Sequence, residues 1–385
     1  MTGHAVPVYS PTPSSPPKIN RTSFLTAKHH NGYCLWPSKT TEYSVRNSPW
    51  KNGEGDVVRE FVDAARRHGL KPGLYLSGGD KHFPCASTPQ PIGERILEGD
   101  RNAYFSVYLE QLRELLTNYG ELCMLWFDGA YDPFGWDVRN GQGAFLGPAF
   151  GDAIALIVHE LQPNAVIFNG TRPDIRWSGS ERGQATYPLW NVVTPEEATQ
   201  VWCPVYTNGY VPAEAVLHPR KGWFWQPDTD GTLLPVNDLI EIVHSSVGNG
   251  ANLLINLTPD TRGLVPDAEV ARMREFGAAG KQLYGSPLAT VDSTDKWEEG
   301  NVLTLKLPSE SMVNRVVLEE DLKFGQRIKE YRIEAKTAEG WKTVAEGQSI
   351  GRMRIERFSP VSTDALRLRV TKTFPLPKVR RFTAF

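Results

Sequence analysis

Residues 105–130 read FSVYLEQLRELLTNYGELCMLWFDGA, and the two halves of this stretch have different periods. Phe105, Tyr108, Leu109, Leu112, Leu115, Leu116 and Tyr119 recur at the three- and four-residue spacing of one helix face, and Gly120 closes that pattern. Residues 122–127 then form an apolar run of strand length that ends in Asp128-Gly129. A helix followed by a strand apolar on both faces is the unit of a parallel sheet covered by helices. A carboxylate directly after a buried strand is costly unless hydrogen-bonded. The glycine behind it permits a sharp turn and leaves room for a ligand. Asp128 is therefore read either as a nucleophile or as a cap of its loop.

The same alternation runs outward from this unit. Upstream, 23–27 is a strand, Asp56 caps a helix with Val57, Val58, Phe61, Val62 and Ala65 on its apolar face, Gly69 ends it, and 72–76 is the next strand. Downstream come a helix near 152–161, a strand at 165–168, a helix capped by Asn237 and reaching about Ser246, a strand at 252–257 and a last helix over roughly 266–283. Between Gly170 and Trp225 the periodicity is poor, and two irregular strands are expected there. The number of βα units favours a (β/α)₈ barrel over an open doubly wound sheet, and no GxGxxG follows a strand. After about Ser286 the period changes to two. Residues 302–307, 315–318, 331–335, 341–344 and 366–370 read as strands of an antiparallel β-sandwich. The expected organisation is a Pro/Ser-rich disordered segment over 1–22, an α/β catalytic domain over 23–286 and a β-sandwich over 287–385.

Composition narrows the function. In 385 residues, 42 basic and 44 acidic side chains leave a net charge of −2, which argues against nucleic acid or a polybasic membrane face as partner. No apolar run reaches the ~18 residues of a membrane span. No basic segment followed by an apolar core opens the chain, so no signal peptide is expected. Cys34, Cys85, Cys123 and Cys203 form no CxxC pair, and buried thiols are the better reading.

In a (β/α)₈ barrel the chemistry sits at the C-terminal ends of the strands. Besides Asp128, such a position holds His29-His30, two imidazoles able to donate to and accept from sugar hydroxyls, or simply a satisfied pair at a loop start. A metal there is disfavoured because no third ligand has a recognisable spacing. On the loop DIRWSGSE at 174–181, Glu181 could protonate a glycosidic oxygen; the bland alternative is an Arg176–Glu181 surface pair. Trp223 and Trp225 in GWFW at 222–225 offer indoles for sugar stacking or for packing.

Together these segments resemble the α-L-fucosidases of glycoside hydrolase family 29, in particular the plant-like branch cleaving α-1,3/1,4-linked fucose. The resemblance is carried by LTAKHHNGYCLWPSKTTEYSV at 25–45, WKNG at 50–53, GDVV at 55–58, GLYLS at 73–77, LWFDGA at 125–130, PDIRWSGSERG at 173–183, GWFW at 222–225 and LLINLTPDTRGLV at 253–265. It implies retaining hydrolysis with Asp128 as nucleophile and Glu181 as acid/base. His29, His30, Trp223 and Trp225 would bind the sugar of a fucosylated oligosaccharide or glycoprotein glycan, with no metal or organic cofactor. Asp128 must then start ionised and Glu181 protonated. The resemblance also implies a discoidin- or carbohydrate-binding-like C-terminal domain.

Two departures stand out. The family's first strand, with its His-containing motif, and its first helix have no counterpart in the Pro-rich segment, so a barrel lacking its first βα unit is expected. Ser77-Gly78-Gly79-Asp80 replaces a Ser-Pro-Trp-Asp, removing a ring from the pocket wall. These departures leave open a second reading, a catalytically impaired relative that binds glycans.

Overall fold

The computed structural model describes residues 3–8, 20–80, 82–83, 98–128, 147–169, 173–193, 209–292 and 297–385. The chain forms two compact units, one built mainly of 21–177 and the other of 178–193 and 209–385.

The first unit is a five-stranded sheet in sequence order: β1 (Gly3–Val8), β2 (Asn20–Lys28), β3 (Lys71–Ser77), β4 (Met124–Asp128) and β5 (Val166–Phe168). The pairings from β2 to β5 are parallel, and a helix separates each consecutive pair: α1 (Val57–Arg67), α2 (Glu98–Asn118) and α3 (Gly147–Leu161). Sequence order in space is what short βα connections dictate. Leu74, Leu76, Leu125, Phe127 and Ile167 meet Val58, Val62, Tyr108, Leu112, Leu115, Ile154 and Val158 in one core. On β4 the alternate residues Trp126 and Asp128 are only half-buried, on the face opposite Leu125 and Phe127. Asp56 caps α1, accepting from Arg59 N at 2.8 Å. Gln162 holds the turn into β4 by donating to Leu116 O and Gly120 O and accepting from Leu122 N.

The expected disorder over 1–22 fails at both ends of that segment. Gly3–Val8 is a strand at the sheet edge beside β2, and Asn20–Thr22 open β2 itself. The Pro count hid a short β-compatible run, Ala5-Val6-Pro7-Val8, and an edge strand tolerates a residue without an N–H. The sheet edge that the sequence left bare is thus paired.

In the second unit, the poorly periodic region resolves into short pieces. β6 is Arg176–Trp177, at the boundary, while β7 (Val192–Val193) and β8 (Gly209–Tyr210) form an antiparallel pair. β9 (Ala213–Leu217) and β10 (Asn252–Ile255) are parallel. Helices α4 (Val236–Ser245) and α5 (Asp267–Tyr284) pack on these strands and on Val317, Met353 and Ile355 of the C-terminal sheet. Pro235, not Asn237, stands at the α4 cap, and no side chain caps it. The C-terminal sheet has the order β11-β16-β12-β15-β13-β14, all antiparallel: β11 (Ala289–Asp292), β12 (Val302–Glu320), β13 (Ile328–Thr337), β14 (Gly340–Gly347), β15 (Arg354–Thr373) and β16 (Val379–Ala384). Residues 302–307 and 315–318, which alternate as separate strands in sequence, are one bulged strand. Compactness groups β9, β10, α4 and α5 with this sheet, and the division between the two compact units falls after Trp177.

Among the described residues, no helix is long and apolar enough to cross a membrane.

Candidate active site

The strand ends of the first unit bring three of the six expected residues together. In the β3–β4 register Tyr75 lies beside Trp126 and Ser77 beside Asp128, so all four side chains share one face. Asp128 Oδ2 accepts from Tyr75 Oη at 2.6 Å and faces His30 Nε2 at 3.2 Å. Both contacts converge on one oxygen; among the described residues Oδ1 accepts nothing. The carboxylate is 31% exposed and His30 20%, and the group is braced by Tyr75 and His30. It is not locked into a structural ion pair. Burial pushes the Asp128 carboxyl up, but hydrogen bonds from His30 and Tyr75 and the nearby imidazoles outweigh burial and hold it below its ordinary value. Burial, and then the Asp128 charge, push the Tyr75 phenol well up, so it remains the donor.

A row of rings floors the site: His29 stacks on Tyr75 (centroids 5.9 Å), Tyr75 on Trp126 (5.2 Å) and Trp126 on Phe168 (4.2 Å). It follows from successive strands placing an aromatic residue at adjacent register positions.

The His29-His30 segment is anchored by Lys28, which the sequence did not single out. Its ammonium is fully buried. It donates to Asp80 Oδ2 (3.3 Å), Tyr104 Oη (3.1 Å) and Gln111 Oε1 (2.8 Å) and lies over the rings of Tyr104 and Tyr108. Burial pulls the Lys28 ammonium down, opposed chiefly by the Asp80 charge. Asp80 also accepts from the backbone N–H of His82 and Phe83. Gly32 makes this approach possible: its φ is +85°, and a Cβ there would stand 2.0 Å from Asp80 Oδ1. Gly129 and the residues after it, part of the expected nucleophile loop, lie outside the described residues.

Glu181 and Trp223 form a cluster of their own in the second unit. The 178–183 loop runs along β9, with Ser178 N on Glu214 O, Val216 N on Ser180 O and Gly183 N on Val216 O. Glu181 is exposed, and Trp223 Nε1 donates to its Oε2 at 3.3 Å. Arg176 is buried, so a surface pair with Glu181 is not its role. The loop carrying Trp223 is pinned by buried Arg220, which pairs with Glu269 (2.6 Å) and Asp230 (2.8 Å), and by Asn256 Nδ2 on Trp223 O. Trp225 has a buried Nε1 with no partner among the described residues.

A carboxylate at a strand end, beside two imidazoles and over a floor of stacked rings, is equipped to hold a sugar and attack it. The α-L-fucosidase family profile matches residues 21–281. The chain belongs to the α-L-fucosidase family. As a family member it is a glycoside hydrolase. It is 34% identical to α-L-fucosidase 1 of Arabidopsis thaliana over 388 residues, which cover 90% of this chain and 72% of the plant protein. Among solved structures, a glycoside hydrolase 29 family member from an unknown rumen bacterium superposes with a TM-score of 0.77 at 31% identity, covering 95% of this chain and 66% of that one. A Ruminococcus gnavus glycoside hydrolase 29 fucosidase in complex with fucose superposes with a TM-score of 0.76 at 25% identity, covering 95% and 82%. The fold neighbours agree with the parallel sheet and the C-terminal antiparallel sheet of this fucosidase-family chain.

Proposed function

We infer that the chain is a retaining α-L-fucosidase acting on terminal α-1,3/1,4-linked fucose of oligosaccharides or glycoprotein glycans, with Asp128 as nucleophile and Glu181 as general acid/base. The observation that carries this reading is the asymmetry of the Asp128 carboxylate. Oδ2 is held by Tyr75 and His30, while among the described residues Oδ1 accepts no hydrogen bond, and the carboxyl is held below its ordinary value. A nucleophile needs a free lone pair and a fixed orientation, and this arrangement supplies both. Oδ1 attacks the anomeric carbon as Glu181 protonates the leaving oxygen; water then cleaves the fucosyl ester with Glu181 as base. His29 and His30 bind sugar hydroxyls, and Trp223 and Trp225 wall the pocket. The fold reading that accompanies this function is a (β/α)₈-type domain over 23–286 lacking the family's first βα unit, followed by a β-sandwich over 287–385.

Asp128→Asn is expected to lower turnover of a Lewis-type oligosaccharide by at least about 10³-fold, the scale of losing a nucleophile; wild-type turnover in that variant sinks the assignment. Glu181→Ala should keep its activity on an aryl fucoside with a good leaving group and gain rate with azide. Absence of rescue at every leaving group removes Glu181 from the role. Proton NMR of the first-formed product anomer distinguishes retention from inversion.

A further inference from the structure

We propose that His29, His30 and Asp128 also form a binding site for one divalent transition-metal ion of the Zn²⁺ type, in competition with the sugar. Among the described residues these three bring their ligand atoms within 4.8 Å of one another. No sequence spacing marks the set, because the third ligand comes from β4 while the histidines follow β2. Two atoms bound to one tetrahedral zinc stand about 3.3 Å apart, given metal–ligand bonds of ~2.0–2.2 Å. His30 Nε2 and Asp128 Oδ2 are 3.2 Å apart, already one edge of that tetrahedron.

The hydrogen bonds around His30 sharpen the case. The Ser77 hydroxyl donates to Gly79 O at 3.1 Å, and Ser77 Oγ also contacts His30 Nδ1. His30 Nε2 faces the Asp128 carboxylate across the 3.2 Å gap. An imidazole whose far nitrogen is held by a hydrogen bond is the usual state of a metal-ligating histidine. Oδ2 accepts the Tyr75 proton and lies on the His30 side of the carboxylate. Two imidazoles and one carboxylate favour zinc, copper or nickel over calcium or magnesium.

An ion held by His29, His30 and Asp128 occupies the groups that would hold the sugar and draws charge from the Asp128 carboxylate, so the ion is an inhibitor. This competition rests on the fucosidase reading; the ion site does not. The test is calorimetric titration of the whole chain with ZnCl₂, without sugar. One ion per chain is expected, and MgCl₂ should give no heat. Asp128→Asn and His29→Gln, each checked for a native melting transition, should each weaken Zn²⁺ binding at least tenfold, and Ser77→Ala should weaken it with the fold intact. No binding by the wild type, or affinity unchanged in the variants, overturns the site. Added L-fucose should lower the apparent Zn²⁺ affinity, and no effect of saturating fucose overturns the competition. Hydrolysis in EDTA-containing buffer reports separately on the fucosidase reading.

Discussion

At the residue scale, Tyr75 decides how Asp128 works. Its phenol donates to Asp128 Oδ2 and helps keep the carboxylate charged. A hydrogen bond to a charged group contributes about 1.5–3 kcal/mol, and one pH unit corresponds to about 1.4 kcal/mol. Tyr75→Phe removes a donor that favours the anion, so the Asp128 pKa rises. The acid limb of kcat/KM should move up by about one pH unit, with the plateau less affected. A pH–rate profile checks this; an unmoved limb means that Tyr75 only packs. Tyr75 was legible as a strand residue and Ser77 only as part of a family motif, neither as a partner of Asp128. Their alternation puts them on one face, but only the register with β4 shows that this face holds Asp128.

At the scale of elements, the ends of β2 and β3 are tied by one buried ion pair. Lys28 ends β2, Asp80 follows β3, and α2 supplies Tyr104 and Gln111 around the ammonium. Taking one partner from a buried pair typically costs about 3–5 kcal/mol, because the other charge is left uncompensated. Lys28→Met should therefore destabilise the first unit by that amount and loosen His29-His30. Lys28→Met combined with Asp80→Leu should recover part of the loss, since neither charge remains. Urea denaturation midpoints of the single and double variants check this. A double variant as weak as the single one would show that hydrogen bonds to Tyr104 and Gln111, not charge, carry the effect.

At the scale of the whole molecule, pH acts on stability through every carboxylate that folding perturbs. Glu320 is the clearest in the C-terminal sheet. It accepts from the backbone N–H of Arg327, Ile328 and Gly351, yet burial pushes it up to about 7. Its folded value lies above its unfolded one near 4.5, so between those limits the folded chain holds the proton and the unfolded chain does not. Its contribution is fully present below about pH 4.5 and is lost as pH rises towards 7. The melting advantage of the wild type over Glu320→Gln should shrink across that window; a constant difference would mean that Glu320 folds already ionised.

The strand–helix alternation, the change to period two after about Ser286 and the carboxylate at the end of β4 were all readable from the chain. Each depends on neighbours a few residues apart, and local spacing records local geometry. The paired edge at Gly3–Val8 was hidden by proline content, and the unbroken length of β12 was hidden by a bulge that resets the alternation. Which side chains surround Asp128, and that Lys28 reaches Asp80, were decided by the fold. Those contacts join residues on different strands and helices, and their distances depend on register and packing, for which no periodicity in the chain stands as a record.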